Sequence, residues 1–329
     1  WLWIFPNTSI LDNKFATLET LFNLAPWLFL FIFPALTMRS FAEEKANGTL
    51  DLLRSKPVTL WNIVTGKFLA VLTILFILVL ICQVYTFSVF HLGYPKGNLD
   101  IGGIAGSFIG WILLAACYIS IGIFASAVSG SQMISFLAAI VLCFLLYSGP
   151  AFLSSLPVFV GNLDYSIQWM GMQPHYQSLS KGKLDSTDIF YFLFLSILFL
   201  YGSTFFLKRS GLVNKWRTFF LNPGMGAISL SLVLALLPVF SIDLTEDKRF
   251  TFGEETKSFI RNVDDVIYAE VLMDGKLPAA FARLRKSAID KLQDFNKINK
   301  NIQYNLVDPL EGDKEMIKSN QEALRKDGI

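Results

Sequence analysis

The sequence contains little charge and few of the residues that build metal centres or disulfide frameworks. Asp, Glu, Lys and Arg make up 16% of the 329 residues, and there are only two histidines and three cysteines. A soluble chain of this size needs more charge to cover its surface, and two isolated histidines exclude a histidine-rich metal cluster. Disulfide frameworks are polar and rich in loops, whereas Cys82, Cys117 and Cys143 lie in apolar segments. We interpret the cysteines as packing residues.

Long hydrophobic runs take the place of the missing charge. Hydrophobic residues make up 53% of the chain, and 31 residues are Phe. A helix needs about 20 apolar residues to cross a bilayer core, and backbone in lipid must satisfy its own hydrogen bonds. Six stretches are candidate spans: Phe22–Met38, Phe68–Leu92, Ile101–Val128, Met133–Leu156, Ile189–Leu207 and Gly224–Ile242. We predict an all-α polytopic membrane protein with about six spans, of which the first, ending at Trp1–Phe5, is partly missing, and one extra anchor span.

Basic residues orient these spans. One group lies between the first two complete spans, within residues 39–67, and another lies before the last span, within residues 208–217. Lys and Arg are concentrated in the cytoplasmic loops of membrane proteins. Four spans separate the two groups, and an even number returns the chain to the same side, so both groups are predicted to be cytoplasmic. Residues 91–100, 157–188 and everything after Ile242 are then predicted to lie outside a bacterial inner membrane.

Four glycines lie along one side of the third stretch. They are Gly102, Gly103, Gly106 and Gly110. Small residues at this spacing let two helices approach closely. We interpret them as a helix-packing face, and a gate is the alternative.

The cytoplasmic segment Thr37–Lys67 is longer than a simple connection between two spans, so we expect it to have a function of its own. Its first helix continues the span through Glu43 and Glu44. This helix is predicted to stop at Gly48, because Asn-Gly is typical of a helix C-terminus. Thr49 is then predicted to cap a second helix.

The second helix is predicted to end at Pro57. Three of its leucines are predicted to face inward: Leu50, Leu52 and Leu53. Thr59 is predicted to cap a third helix, Leu60–Val64, which leads through Gly66 and Lys67 into the next span. The sequence therefore predicts a compact helical elbow on the cytoplasmic side of the membrane.

The pattern of this elbow resembles the signature of ABC-2 type transporter permeases. The matching residues are Arg39, Glu44, Gly48-Thr49, Leu52-Leu53, Pro57 and Gly66-Lys67. In that family the elbow contacts the ATPase and relays its opening and closing. The resemblance implies this role for ten residues: Arg39, Glu43, Glu44, Gly48, Thr49, Leu53, Pro57, Trp61, Gly66 and Lys67. Two runs, Met38–Phe41 and His175–Gly182, are most similar to the gliding-motility-associated ABC transporter permease.

The resemblance also implies the partners. They are a cytoplasmic ABC ATPase dimer, which binds ATP and magnesium, and a second permease chain, identical or homologous, in the lipid bilayer. No nucleic acid is expected. The chain has no phosphate loop of its own, because Gly66-Lys67 is followed by Phe68 and position 61 is Trp61, where the loop requires Gly. Nor does any complete span carry Asp, Glu, Lys or Arg at its centre, where ion-coupled transporters place such residues. We expect this chain to have no cofactor and no enzymatic activity.

The outer segment 157–188 is rich in aromatic residues. Four residues are its candidate site residues: Trp169, His175, Tyr176 and Gly182. They are expected on the outer surface or along a substrate exit, and the alternative is simple anchoring at the membrane interface, where Trp and Tyr are common. No Ser, Cys or carboxylate partner is evident beside His175, so we interpret it as a hydrogen-bonded loop residue. Asp185–Asp188 is predicted to cap the next span.

After Ile242 charged residues become frequent and a soluble pattern emerges. The predicted elements are a helix at Glu254–Val263, a strand at Val266–Met273, a helix at Pro278–Ile298 and a strand at Asn301–Val307. A strand, helix and strand of these lengths favour parallel pairing in an α/β domain.

This C-terminal part resembles the start of the auxiliary subunit of the same gliding-motility transporter, on the runs Asp243–Arg249, Asp264–Val266 and Ile302–Tyr304, the last followed by Asp308-Pro309. In that family the subunit is a separate chain that faces the periplasm. We therefore interpret the protein as a fusion. A permease domain is predicted at 1–208, a cytoplasmic linker and anchor span at 209–242, and a partial extracytoplasmic α/β domain at 243–329.

These features predict the permease subunit of an ABC transporter. It would couple ATP hydrolysis by a separate subunit to export or to gliding-motility-associated work on the envelope. The alternative is a structural assembly component that transmits force and moves no substrate. A membrane enzyme is disfavoured because no cluster of catalytic residues is evident on either side.

Overall fold

A computed structural model of the protein describes residues 18–93, 99–154, 156, 164–208, 232, 240–248, 250–273 and 279–308. The chain divides into two compact units. Unit 1 comprises Trp1–Tyr147 and Met172–Phe250, and unit 2 comprises Ser148–Gly171 and Thr251–Ile329. The domain boundaries at residues 208 and 242 remain predictions.

The described elements are mostly helices. In chain order they are α1 (Glu19–Thr37), α2 (Ala42–Ala46), α3 (Leu50–Arg54), α4 (Leu60–Leu92), α5 (Ile101–Val128), α6 (Gln132–Tyr147), α7 (Gly149–Ser154), α8 (Asp164–Trp169), α9 (Met172–Leu179), β1 (Lys183–Asp185), α10 (Ser186–Leu207), β2 (Ser241–Asp243), α11 (Glu254–Arg261), β3 (Ile267–Val271), α12 (Ala279–Ile298) and β4 (Ile302–Leu306). Within the described ranges, four helical segments are long and apolar enough to cross a membrane: Glu19–Ala46, Leu60–Leu92, Ile101–Val128 and Ser186–Leu207. They coincide with four of the predicted spans.

The predicted span Met133–Leu156 is not one continuous helix. Helix α6 ends at Tyr147, and the short helix α7 begins at Gly149. Pro150 explains the break, because proline disfavours the helical conformation of the residue before it but fits the first turn of a new helix.

Two further predicted membrane segments fall on residues whose structure is not described. The end piece Trp1–Phe5 lies outside the described residues, and so does most of the predicted anchor Gly224–Ile242. The last two residues of that predicted anchor are not helical, because Ser241 and Ile242 belong to strand β2.

Helix α5 is the central helix of unit 1. It contacts α1, α4, α6, α9 and α10, and Leu114, Ala115, Cys117 and Ile123 are fully buried on different sides of it. A helix that is apolar all round belongs in the interior of a bundle. Helix α4 is the opposite case, because most of its apolar length is exposed on the surface of the unit.

Unit 2 contains the C-terminal elements α11, β3, α12 and β4. Strands β3 and β4 pair in parallel, from Ile267 opposite Ile302 to Val271 opposite Leu306, which is the pairing that the sequence predicts. The amide of Asn299 donates to the carbonyl oxygens of residues 260 and 263 at 2.8 and 2.9 Å, and so connects the end of α12 to the end of α11.

Candidate functional site

The candidate site is the elbow, defined as residues 38–67, which connects α1 to α4 by way of α2 and α3. Gly48 ends α2 with a backbone φ of +72°, a conformation that glycine adopts at little cost. At the other end of the elbow, the Thr59 hydroxyl accepts a hydrogen bond from the backbone N–H of Asn62 at 3.2 Å and so caps α4. Both of these predictions are confirmed.

Two other predictions about the elbow are wrong. Thr49 does not cap α3, because its own backbone is helical (φ −79°, ψ −12°), and its hydroxyl instead donates to the carbonyl oxygen of Glu44 at 3.4 Å. The short third helix does not exist as a separate element, since α4 runs without a break from Leu60 through Gly66 to Leu92. Gly66 does not end the helix. An isolated glycine only weakens a helix, and the packing of Val64, which is fully buried two residues earlier, offsets that weakening.

The leucines of α3 do not all face inward. Leu50 is buried and Leu53 is half-buried, but Leu52 is 67% exposed. Successive helical residues point in directions about 100° apart, so one five-residue helix cannot turn three leucines so close in sequence toward the same neighbour.

Lys67 ties the two ends of the elbow together. Its ammonium group pairs with the carboxylate of Glu44 and also donates to the carbonyl oxygen of Ser40. It lies 4.3 Å from the centre of the Phe41 ring, within the range of a cation–π contact. The second turn of α4 and the first residues of the elbow are therefore held by one side chain.

Ser126 fixes the elbow to the end of α5. Its hydroxyl oxygen accepts hydrogen bonds from the backbone N–H groups of Phe41 at 2.9 Å and Ala42 at 3.0 Å, and it donates to the carbonyl oxygen of Met38 at 3.0 Å. The hydroxyl thus satisfies N–H groups that the start of α2 leaves without helical partners. The sequence analysis missed Ser126.

Two basic side chains fasten the elbow to the neighbouring helix ends. The ammonium group of Lys45 donates to the carbonyl oxygen of Ala127, at the end of α5. The guanidinium of Arg54 donates to the carbonyl oxygen of Leu207, at the end of α10, and pairs with Asp51 at 3.1 Å. Arg54 was not among the predicted site residues, although a basic residue in the last turn of a short helix is a usable signal.

The elbow also presents an open groove with a volume of about 410 Å³. Its lining residues are Leu36, Arg39, Ser40, Glu43, Glu44, Asn47, Thr49 and Lys67. The second carboxylate oxygen of Glu44 is buried and has no hydrogen-bond partner among the described residues. The groove is therefore lined by both positive and negative side chains.

Beside these polar residues, the elbow exposes apolar side chains. Trp61 is 41% exposed, and Val58 and Pro57 are exposed as well. Together with Leu52 they form a surface on which a partner protein would find an aromatic anchor, the residue type that contributes most to binding at interfaces.

At the end of unit 1 opposite the elbow, three of the four predicted outer-loop residues are buried: His175, Tyr176 and Gly182. His175 lies in helix α9, and its Nδ1 is 2.6 Å from a carboxylate oxygen of Asp188. The ring of Tyr191 stacks on the imidazole at 4.0 Å. The interpretation of His175 as a loop residue without a carboxylate partner is wrong, because α9 and the first turn of α10 pack together. The carboxylate of Asp188 therefore binds His175. Asp185 makes no side-chain cap at the start of α10.

The other three outer-loop residues have separate surroundings. Tyr176 is buried and donates its hydroxyl to the carbonyl oxygen of Phe22 at 2.6 Å, so it does not line the surface or a substrate exit. Burial raises the pKa of Tyr176. Gly182 is buried with a φ of +84°, and Trp169 ends α8 in unit 2. Trp169 therefore belongs to a different unit from His175, Tyr176 and Gly182.

The comparison with known families covers both parts of the chain. Residues 16–240, more than half of the chain, match the family described as ABC-2 family transporter protein. The chain belongs to the ABC-2 family. Residues 246–329 match a family described only as a domain of unknown function (DUF7088). No curated protein and no solved structure matches this ABC-2 chain significantly.

Membership in the ABC-2 family makes the chain a multi-pass membrane protein of the permease type and implies an ATPase partner in the transporter. Over the part of the chain that the structure describes, no group of three or more His, Cys, Asp or Glu residues is placed to hold a metal ion.

Proposed function

We propose that this chain is the membrane-spanning subunit of an ABC transporter whose elbow binds a separate cytoplasmic ATPase. ATP hydrolysis by that subunit would drive export or gliding-motility-associated work on the cell envelope. The observation that carries the proposal is the arrangement of the elbow. It is bonded on one side to the ends of α5 and α10, through Ser126, Lys45 and Arg54, and it exposes an apolar and charged surface on the other side.

The exposed surface has the features of a protein interface. Interface cores are enriched in Trp and Arg, and the elbow exposes Trp61 and Arg39. Arg39, Glu43 and Glu44 line the groove, so it presents charged side chains that polar groups of the ATPase would pair with.

Energy has to come from a second subunit. The chain lacks the phosphate loop that binds ATP, since Phe68 follows Gly66-Lys67 where the loop requires Ser or Thr. In the proposed complex, ATP and magnesium are bound by the ATPase dimer alone, and the permease contributes no catalytic group to hydrolysis.

The placement of the two ends of unit 1 supports the proposed orientation. Strand β2 pairs with β1 in antiparallel fashion, with Leu184 opposite Ile242, so the residues after the predicted anchor lie at the same end of the unit as the start of α10. The elbow lies at the other end, beside Leu207. In the proposed bacterial inner membrane the elbow faces the cytoplasm and the C-terminal residues are extracytoplasmic.

A second permease chain is the proposed partner within the membrane, and a copy of this same chain fits best. Helix α4 exposes Leu80, Gln83, Val84 and Phe87, which recur at helical spacing on one side. The amide of Gln83 is therefore exposed in the middle of an apolar surface. Amides are both donors and acceptors and associate across helices in membranes, so the Gln83 side chains of two copies related by a two-fold axis would pair with each other.

A second candidate function is the force-transmitting assembly component that moves no substrate. The pairing of β2 with β1 favours it, because the residues that lead into the C-terminal part are fastened to unit 1. In this version the ATPase still binds the elbow, and the C-terminal part is the output.

The test is purification of the chain from native membranes, with identification of co-purifying proteins by their phosphate-loop sequences. We expect an ABC ATPase to co-purify and ATP hydrolysis to disappear when it is stripped away. Robust hydrolysis by the stripped chain, or repeated absence of any ATPase from gently solubilised material, contradicts the proposal. A vesicle transport assay with the intact complex then separates export from force transmission.

A further inference from the structure

Helix α5 makes contacts outside the helical bundle at both of its ends. At its C-terminal end, Ser126 and Ala127 bind the elbow, as described above. At its N-terminal end, it binds the segment that leads into the C-terminal part of the chain. We call this segment the root and define it as residues 240–248 together with Phe250; it belongs to unit 1.

The carboxylate of Asp100 joins α5 to the root. One of its oxygens accepts from the backbone N–H of Gly103 at 2.8 Å and from the backbone N–H of Glu246 at 3.1 Å. The first bond caps α5, and the second fastens the root to the same carboxylate.

Gly102 makes the second contact between α5 and the root. A Cβ atom at this position would lie 1.6 Å from the carbonyl oxygen of Leu244, a distance that no side chain can occupy. The root backbone therefore lies directly on the surface of α5, and only glycine fits between them.

The root is itself an ordered structure. Its carboxylate Asp243 is buried and accepts hydrogen bonds from the backbone N–H and the hydroxyl of Thr245 and from the backbone N–H of Phe250 at 2.8 Å. The N–H of Leu244 donates to the carbonyl oxygen of Gly182 at 3.1 Å. A displacement of the end of α5 would therefore move the root as one piece.

Helix α5 is also stiff enough to connect its two ends. It has 28 residues and no proline, so it is about 42 Å long at 1.5 Å per residue. Packed interiors transmit strain because they have little room to deform, and α5 is buried along most of its length.

We propose that α5 transmits movement of the elbow to the root, so that the ATP cycle of the partner repositions the segment that carries the C-terminal part of the chain. This inference rests on the proposed function, because the ATPase is what moves the elbow. It adds an output on the opposite side of the membrane, delivered through Ser126 at one end of the helix and through Asp100 and Gly102 at the other.

The test measures the root directly in the complete complex. Glu246 is exposed and bonds Asp100 only through its backbone, so a cysteine there, in a background without the three native cysteines, reports on the root without removing the contact. We expect its labelling rate with a membrane-impermeant maleimide to differ at least about fivefold between the nucleotide-free and the ATP-trapped complex, the lower end of typical allosteric coupling.

Two variants remove the contacts that α5 makes at its opposite ends. Gly102→Val pushes the root off the helix, and Ser126→Ala removes the bonds to the elbow; we expect the nucleotide-dependent difference to vanish in both. Gly130→Val and Ser120→Ala are matched controls, because a Cβ at Gly130 meets open space and the Ser120 hydroxyl bonds only within its own helix. All are compared as complexes of correct size on gel filtration.

A cysteine at the exposed elbow position Asn47 separates the two proposals. If no ATPase co-purifies, the proposed function fails. If the ATPase is bound and Asn47→Cys responds to nucleotide while Glu246→Cys does not, the transmission proposal is overturned and the proposed function stands. Persistence of the Glu246→Cys response in either Gly102→Val or Ser126→Ala also overturns it.

Discussion

Lys67 forms an ion pair with Glu44 across 23 residues of the elbow. Both side chains are about three-quarters buried, so the pair is screened less than a surface pair. We expect Glu44→Gln and Lys67→Met each to lower the local stability of the elbow by about 1–2 kcal/mol, seen as faster hydrogen exchange of the backbone amides of Ala42–Ala46.

The double variant tests whether the pair acts as a unit. With both partners gone, neither Glu44 nor Lys67 remains as a partly buried charge without its partner, so the double variant should lose less than the sum of the two single losses. Lys257→Met, which removes an exposed pair with Glu254, should leave exchange in unit 2 unchanged. Strict additivity in the elbow would show that Glu44 and Lys67 act independently.

Trp61 is the expected anchor for the ATPase. Trp61→Ala should weaken ATPase association at least about tenfold, or about 1.4 kcal/mol, as is typical for truncation of an aromatic interface residue. Because Trp61 is exposed in the chain by itself, expression and thermal stability should not change. Binding is measured by titrating purified ATPase onto the permease in lipid nanodiscs.

The control for Trp61→Ala is Leu92→Ala. This variant also truncates an exposed apolar residue, but at the other end of α4. Its ATPase affinity should equal that of the parent. If both variants bind the ATPase normally, the apolar surface of the elbow is not the docking site.

The pair of His175 and Asp188 is expected to be structural. His175→Ala leaves a buried carboxylate without its partner, which typically costs about 3–5 kcal/mol, so the thermal midpoint should fall by many degrees. His91→Ala changes an exposed ring on α4 and should have almost no effect. Normal stability of His175→Ala together with loss of transport would instead assign the pair a functional role.

Pairing of two copies through α4 can be trapped chemically. Gln83→Cys should form an intermolecular disulfide in native membranes under mild oxidation, because the two-fold axis brings the same residue from both copies together. Ile81→Cys is the control, since it is also exposed and lies two residues earlier, about 200° around the helix. Equal cross-linking at both positions would reflect random collisions, and cross-linking at Ile81 alone would place the interface on another face.

Topology is tested by labelling from outside intact cells, in a background without the native cysteines. Asn47→Cys should be protected from an impermeant thiol reagent and Glu255→Cys should react, because both positions are exposed and the membrane is the only difference between them. Reaction of Asn47→Cys and protection of Glu255→Cys would invert the proposed orientation.

The sequence predicts those features that depend on neighbouring residues. The length of α5 follows from a continuous apolar run, and the ends of the elbow helices follow from Gly48 and Thr59, whose effects are local. Even there, Thr49 was assigned a capping role that its helical backbone rules out, because a single residue type does not determine φ and ψ.

Contacts between residues far apart in the chain leave no comparable signal in the sequence. Ser126 looks like any small residue in an apolar helix, yet its partners lie 84 and 85 residues away. The sequence predicts a capping role for Asp188 because it lies at the start of a helix. Its partner His175 is evident only from the packing of α9 against α10. The charged residues of the elbow were found by pattern, but their pairing depends on this tertiary packing.

The pairing of β1 with β2 bears on how the gene can be divided. A permease that stopped after Lys208 would lack β2, and the N–H of Ser186 would lose the carbonyl of Phe240 that it binds at 2.9 Å. A C-terminal protein that began after that point would carry a strand with no neighbour. Splitting this gene between Lys208 and Ser241 would therefore separate the two strands of one sheet.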